Sequence, residues 1–269
     1  MSDDDQTPDD QKLRLGGMAL RNGLALFGPT SWAAAVRMPD GGIRVESGRR
    51  PRTHVADRIP FMRGVVRMSE MMAALPVIRR RLPEARLSFE NGGVAAATLL
   101  CAGLATVVKR RGGFRSEVAA TVIGIVPSFV TLRNRELVRY HGAEHKAVAG
   151  YEGDVAAEGT SKEHERCGTH LVAPMLLAGI GAAGIASKAP ESLRRPVGAL
   201  GSLAAVGFAF ELFAWRERNP DSLGARALGT PGTAIQRALA TAEPGAAELE
   251  IADRALAALL AAEGAGALA

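Results

Sequence analysis

Four runs of the chain carry no Asp, Glu, Lys or Arg: residues 91–108, 118–132, 167–187 and 196–210, of 18, 15, 21 and 15 residues. The last continues past a single acid, Glu211, as far as Trp215. At a helical rise of about 1.5 Å per residue, 18 residues reach roughly 27 Å, close to the hydrocarbon thickness of a bilayer. The run 118–132 is short for a span, but Arg115 and Arg133 beyond its ends can extend it by snorkelling. All four runs are rich in Ala and Gly, which lets helices approach closely in lipid. The pattern predicts a mainly α, polytopic membrane protein with about four spans within 91–215. A soluble helical core is the competing reading.

Outside the runs the periodicity changes. Residues 1–12 are polar and read as a disordered tail. Residues 13–60 read as a β-rich region, with Ser31–Arg37, a turn at Pro39-Asp40-Gly41-Gly42, and Ile43–Ser47 alternating apolar and polar side chains as a hairpin does. An amphipathic helix is expected near Met62–Arg81, within 61–90. Its stripe is Val65, Val66, Met68, Met72, Leu75 and Ile78, with Pro76 placed to bend or split it. It suits either a membrane interface or a packing face on its own domain. Residues 216–269 read as a loop over Asn219–Pro231 and a final helix over Pro244–Glu263, striped by Leu249, Ala252, Leu256, Leu259 and Leu260.

Composition narrows the function classes. Hydrophobic residues are 47% and charged ones 23% of 269, so the bulk of the chain is not disordered. Two cysteines exclude a disulfide framework, and 4% aromatics argue against a stacking platform for single-stranded nucleic acid. The net charge of +5 rests on 28 Arg and 5 Lys. These cluster beside the apolar runs, so no nucleic-acid partner is expected and the bilayer is the expected one. With both tails on one side, that side holds 13 Lys and Arg in flanks and short loops against 7 on the other, which places the tails and segment 133–166 in the cytoplasm. The acidic start at Asp3-Asp4-Asp5 does not read as a signal peptide.

The chemistry concentrates in Arg139-Tyr140-His141-Gly142-Ala143-Glu144-His145-Lys146. Four residues apart on a helix, His141 and His145 share a face and can converge on one ion, zinc first among the metals. Glu144, in the order His-x-x-Glu-His, is placed as a catalytic base beside such a metal. The five-residue pattern is only moderately specific, and the histidines have an alternative as partners of backbone, Tyr140 or Glu152. Zinc needs a third protein ligand, for which three sources are open. One is the pair His164 and Cys167 in His164-Glu165-Arg166-Cys167, another is Glu211 near the end of the fourth run, and the third is Glu152. Cys167 has the alternative of an apolar core residue, and Glu211 that of a salt-bridge partner of an arginine such as Arg139. Gly179-Ile180-Gly181-Ala182-Ala183-Gly184 matches a dinucleotide fingerprint, but it lies inside an apolar run with no strand before it and reads as helix packing. No nucleotide cofactor is expected.

Tyr140-His141-Gly142-Ala143-Glu144-His145-Lys146, followed by Tyr151-Glu152, resembles the most distinctive motif of the YqhQ-like bacterial proteins. Arg166-Cys167-Gly168-Thr169 resembles the second motif of that family. The likeness extends from Gly16-Gly17 through Gly28-Pro29, Arg63-Gly64-Val65 and Glu211-Leu212 to Gln236 and Glu243-Pro244. It implies a multi-pass protein of the bacterial cytoplasmic membrane, in a family of unknown function described as predicted metal-dependent enzymes. Two departures stand out. Arg21-Asn22-Gly23-Leu24 replaces a family run that begins with an acid, and His170 follows Cys-Gly-Thr where a small or apolar residue is usual.

Two functions of different class follow from the sequence. One is a zinc-dependent hydrolase at the cytoplasmic face; the other is a non-enzymatic membrane scaffold whose polar motif ties its loops to the helix ends. A transporter or channel is the weaker third, because a single intramembrane acid supports it.

Overall fold

The computed structural model describes residues 12–53 and 61–267. The tail expected at 1–12 lies almost entirely outside the described residues, as does most of the link before the first helix.

Four short strands form one antiparallel meander, β1 (Gly16–Leu20), β2 (Gly23–Phe27), β3 (Ser31–Arg37) and β4 (Ile43–Arg49), in sheet order β1-β2-β3-β4. The hairpin expected at 31–47 is β3 and β4, with Ala34 opposite Glu46 and Ala35 opposite Val45. The sheet is larger than that hairpin. β2 is buried along its whole length, and successive side chains of β2 and β3 enter opposite cores, as the period of two requires. Leu24, Leu26, Ala33 and Ala35 face one core, while Ala25, Phe27, Trp32 and Val36 face the other.

The second face is covered by α1 (Arg63–Arg81) through Ala74, Leu75 and Ile78. α1 runs unbroken through Pro76, whose ring sits on the exposed side and displaces nothing in the core. The expected stripe is corrected in part: Leu75 and Ile78 are buried, but Met68 and Met72 point away from the sheet. The first face is covered by α4 (Arg135–Gly153) and by α8 (Ala246–Ala267), the latter through Leu249, Ile251, Ala252, Ala255 and Leu259. At the far end of α8, Glu263 accepts hydrogen bonds from Thr30 N and Ser31 N at 2.9 and 2.7 Å, tying the C-terminal helix to the β2–β3 turn. N- and C-terminal segments therefore share one α/β/α layered unit.

The other elements are α2 (Gly92–Arg110), α3 (Phe114–Thr131), α5 (Val172–Lys188, preceded by a 3-10 turn at Gly168–Leu171) and α6 (Glu191–Arg218). These four helices, α5 taken with its 3-10 turn, are long and apolar enough to cross a membrane. α2 pairs with α3, α5 with α6, and α3 with α5. The α2–α3 hairpin turns at Gly112 and Gly113, both at positive φ (67° and 81°), which glycine adopts without a Cβ clash. Gly179 of the glycine-rich run lies against Thr121 of α3, where a Cβ would meet the Thr methyl at 2.8 Å, so this glycine serves helix contact.

The loop expected at Asn219–Pro231 is mostly helix: α7 (Leu223–Ile235) is capped by Ser222 Oγ, which accepts from Ala225 N at 3.1 Å, and continues into a π-turn at Gln236–Ala240. Gly, Thr and Pro made the segment read as loop. Packing of α7 against α5 and α6 overrides that preference.

Candidate metal centre

α4 positions the site. Asn134 caps it by accepting from Leu137 N at 3.0 Å, and nearly every residue from Tyr140 to Val148 is buried. Gly142 is required by close approach: a Cβ there would lie 2.2 Å from the Ala242 carbonyl oxygen. The missing side chain lets the segment after the π-turn lie on α4, and Ala242 N donates to Val138 O at 2.9 Å.

This approach orients the first histidine. His141 Nδ1 bonds the Ala240 carbonyl at 2.8 Å, and His145 Nδ1 bonds the Lys162 carbonyl at 2.6 Å. A carbonyl only accepts, so each Nδ1 carries the proton and each Nε2 keeps its lone pair. That is the arrangement in which histidines bind metals. The rings lie 4.4 Å apart between centroids. Cys167 Sγ lies 3.4 Å from His141 Nε2, and ligand atoms of His141, His145 and Cys167 all fall within 4.8 Å of one another. Tetrahedral zinc with bonds of about 2.0–2.3 Å needs donor separations of roughly 3.3–3.8 Å, so the His141–Cys167 pair is already at that spacing and the set closes with a small movement.

Glu144 completes the near surroundings. Its Oε2 is 3.6 Å from His145 Nε2 and 4.0 Å from His141 Nε2. The carboxylate packs on β1 at Gly17, where a Cβ would sit 2.3 Å from Oε1. Burial pushes its pKa up to about 7, partly offset by His141 and Arg166.

The remaining predicted residues divide. His164 stands beside the cluster, its ring 5.6 Å from that of His145, and is directed at Glu152, with Nε2 3.7 Å from Oε2. Burial, together with the neighbouring His145 and Arg166, holds His164 down at about 4, hence neutral near pH 7. Glu152 is ion-paired to Arg166. Glu211 is not brought to the cluster; it pairs with Arg63 of α1 at 2.9 Å, since α1 starts against α6. Tyr140 packs in the core beneath the sheet. Lys146 is also turned from the cluster, its Nζ donating to the Glu158 carbonyl at 3.1 Å and pairing with Glu243 at 2.6 Å. Gly168 opens the 3-10 turn, and Thr169 Oγ1 accepts from Gln236 Nε2 at 3.0 Å.

Gln236 is the residue that reasoning about chemistry passed over. Fully buried in the π-turn, it accepts from His164 N at 2.8 Å, and its Nε2 lies 3.0 Å from His170 Nε2. One amide thus fixes both ends of the segment carrying Cys167. Its signal in the sequence was only its place in the family likeness.

The fold and the site together define a class: a bundle of four apolar, membrane-length helices joined to a layered unit, with a His/His/Cys cluster formed between α4 of that unit and the segment leading into α5. Residues 115–262 match the family described as protein of unknown function DUF1385, which covers more than half of the chain, and the chain belongs to that family. It is also similar to the "Uncharacterized protein YqhQ" of Bacillus subtilis (strain 168), 22% identical over 292 residues that cover 88% of this chain and 89% of that protein. No solved structure matches.

Proposed function

We propose that this protein spans the bacterial cytoplasmic membrane four times and acts as a zinc-dependent hydrolase on the cytoplasmic side. The observation that carries the reading is the convergence of His141, His145 and Cys167 with both imidazole Nδ1 atoms committed to carbonyls. Three protein donors leave a fourth position open, as catalytic zinc sites do. His141, His145 and Cys167 would hold a zinc ion, which would supply Lewis acidity and activate a water there. Glu144 takes up and returns the proton at Oε2, in a buried position that favours proton uptake near neutral pH. The carbonyls of Ala240 and Lys162 hold the rings in register.

Membrane insertion is supported by the exposed apolar side chains of the four helices, Leu99 and Leu100 at 74% and 72% among them. An even number of spans agrees with N- and C-terminal segments meeting in one unit, and the 13-to-7 charge bias supports a cytoplasmic position for that unit. A reporter that fluoresces only in the cytoplasm, fused after Ala269, is expected to be bright; a dark fusion contradicts the orientation.

The scaffold reading keeps one observation in its favour: Gln236, Arg166 and the histidines already tie the segments flanking α4 together without a metal. Glu144→Gln separates the two. As a base, Glu144 is dispensable for zinc and fold, so the variant should retain both while losing hydrolysis. Loss of zinc in this variant would make Glu144 a ligand. A metal-free wild type whose Glu144→Gln variant melts lower would leave the scaffold.

A further inference from the structure

A cavity of about 730 Å³ lies between the Cys167 segment, the end of α6 and α7. Its lining includes five arginines, Arg14, Arg166, Arg216, Arg226 and Arg237, against two glutamates, Glu165 and Glu217. Arg216 is buried, with its side chain 9% exposed. Gly229 of α7 lacks a side chain where that guanidinium lies: a Cβ there would be 2.6 Å from Arg216 Nε.

The charge is only partly spent, although Arg166 is paired with Glu152. Arg216 donates to the Glu165 carbonyl at 2.9 Å and pairs with the Glu165 carboxylate, yet that carboxylate is 80% exposed and on the rim. Arg226 meets Asp221 at 3.5 Å and Arg237 meets Glu163 at 3.7 Å, long pairs in which both arginines are well exposed. A guanidinium has five N–H donors, and each of these contacts uses one or two. Cavity walls of this kind match a doubly charged, oxygen-rich group, for which arginine forks are the best protein partner.

The setting narrows the ligand. Trp215, immediately before Arg216 near the end of the fourth apolar helix, is partly exposed and packs on Gly224 of α7. A tryptophan at that position marks the level of lipid headgroups. We infer that this arginine-lined cavity binds a phosphate group, presented by an anionic lipid headgroup or by a soluble phosphate compound. It stands on the arginines and is independent of the metal reading, although Arg166 and Cys167 are neighbours in the chain.

The test uses the full-length protein in detergent and in nanodiscs. Binding of inorganic phosphate is measured by calorimetry in detergent. Retention of phosphatidylglycerol over phosphatidylcholine is measured by mass spectrometry of the lipids that stay with protein from mixed nanodiscs. The wild type should bind at least one of the two, and Arg226→Gln/Arg237→Gln, which changes only exposed rim residues, should weaken that binding at least about tenfold. Arg216→Gln should weaken it further where it folds. Saturable phosphate binding identifies a soluble phosphate compound, and phosphatidylglycerol retention without it identifies a headgroup. Binding of neither anion, or equal binding by the rim variant, overturns the proposal. So does binding abolished by a chelator and untouched by the arginine changes, which would put the anion on the metal.

Discussion

The two halves of the molecule bury similar side chains in opposite ways. In the layered unit, β2 is buried on both faces, and Phe27 and Trp32 are 1% and 0% exposed. Among the apolar helices, α2 buries no residue at all although it holds Leu99, Leu100, Leu104 and Val107. The sheet is stabilised by removing its side chains from water, whereas the exposed apolar side chains of the four long helices are compatible with a membrane. The candidate metal cluster lies where these two regions meet, between a helix of the first and a segment that leads into the second.

The largest break in this comparison comes from the sheet. Trp32→Ala should cost about 3–5 kcal/mol, read by thermal or denaturant unfolding of the detergent-solubilised protein, whereas Leu100→Ala should cost almost nothing. Equal costs would mean that α2 is packed against something. Leu100→Arg sharpens the other side: at the centre of a span it should carry an insertion cost of about 2.5–3.5 kcal/mol, visible as lost membrane-integrated protein, while on a water-facing helix it would be neutral. Next comes Glu70 of α1. Burial alone would raise its pKa, but hydrogen bonds from Thr53 N, Arg67 and Arg50 outweigh it and hold the carboxyl at about 2. Because the folded value is depressed, the stabilisation is complete above the ordinary value of about 4.5 and is lost as pH falls toward 2. Glu70→Gln should cost about 2 kcal/mol at pH 7 and much less at pH 2; an equal loss at both contradicts the ion-pair account. The smallest effect belongs to Asn91, which caps α2 by accepting from Gly93 N at 2.9 Å: Asn91→Ala should cost about 1 kcal/mol.

What the sequence made legible follows from how local each signal is. Uncharged runs reveal the four long apolar helices because their signal is an unbroken local composition. Alternation over Ile43–Ser47 revealed β4 because one of its faces stays polar. β1 and β2 were legible only as extended chain, since Gly16-Gly17 and the wholly apolar Gly23–Phe27 carry no alternation. α7 was hidden by Gly224, Gly229, Pro231 and Gly232, glycines that make room for Trp215, Arg216 and His170. In the site, the spacing of His141 and His145 was readable because i,i+4 is a property of one helix. The third candidate donor was named but left open among Cys167, His164, Glu152 and Glu211, because Cys167 reaches His141 across 26 positions of chain. Glu211 looked suitable as an acid near a span end, but α1 packs Arg63 against it, and no pattern within either helix announces that pair.

Metal content decides the central claim. Full-length protein purified in detergent without added chelator should carry about one zinc per chain by plasma mass spectrometry. His141→Ala/His145→Ala should carry almost none at an unchanged yield of folded protein, and Cys167→Ser should carry substantially less than wild type. Wild type and double variant with the same negligible metal, after each has been offered zinc and dialysed, would contradict the account.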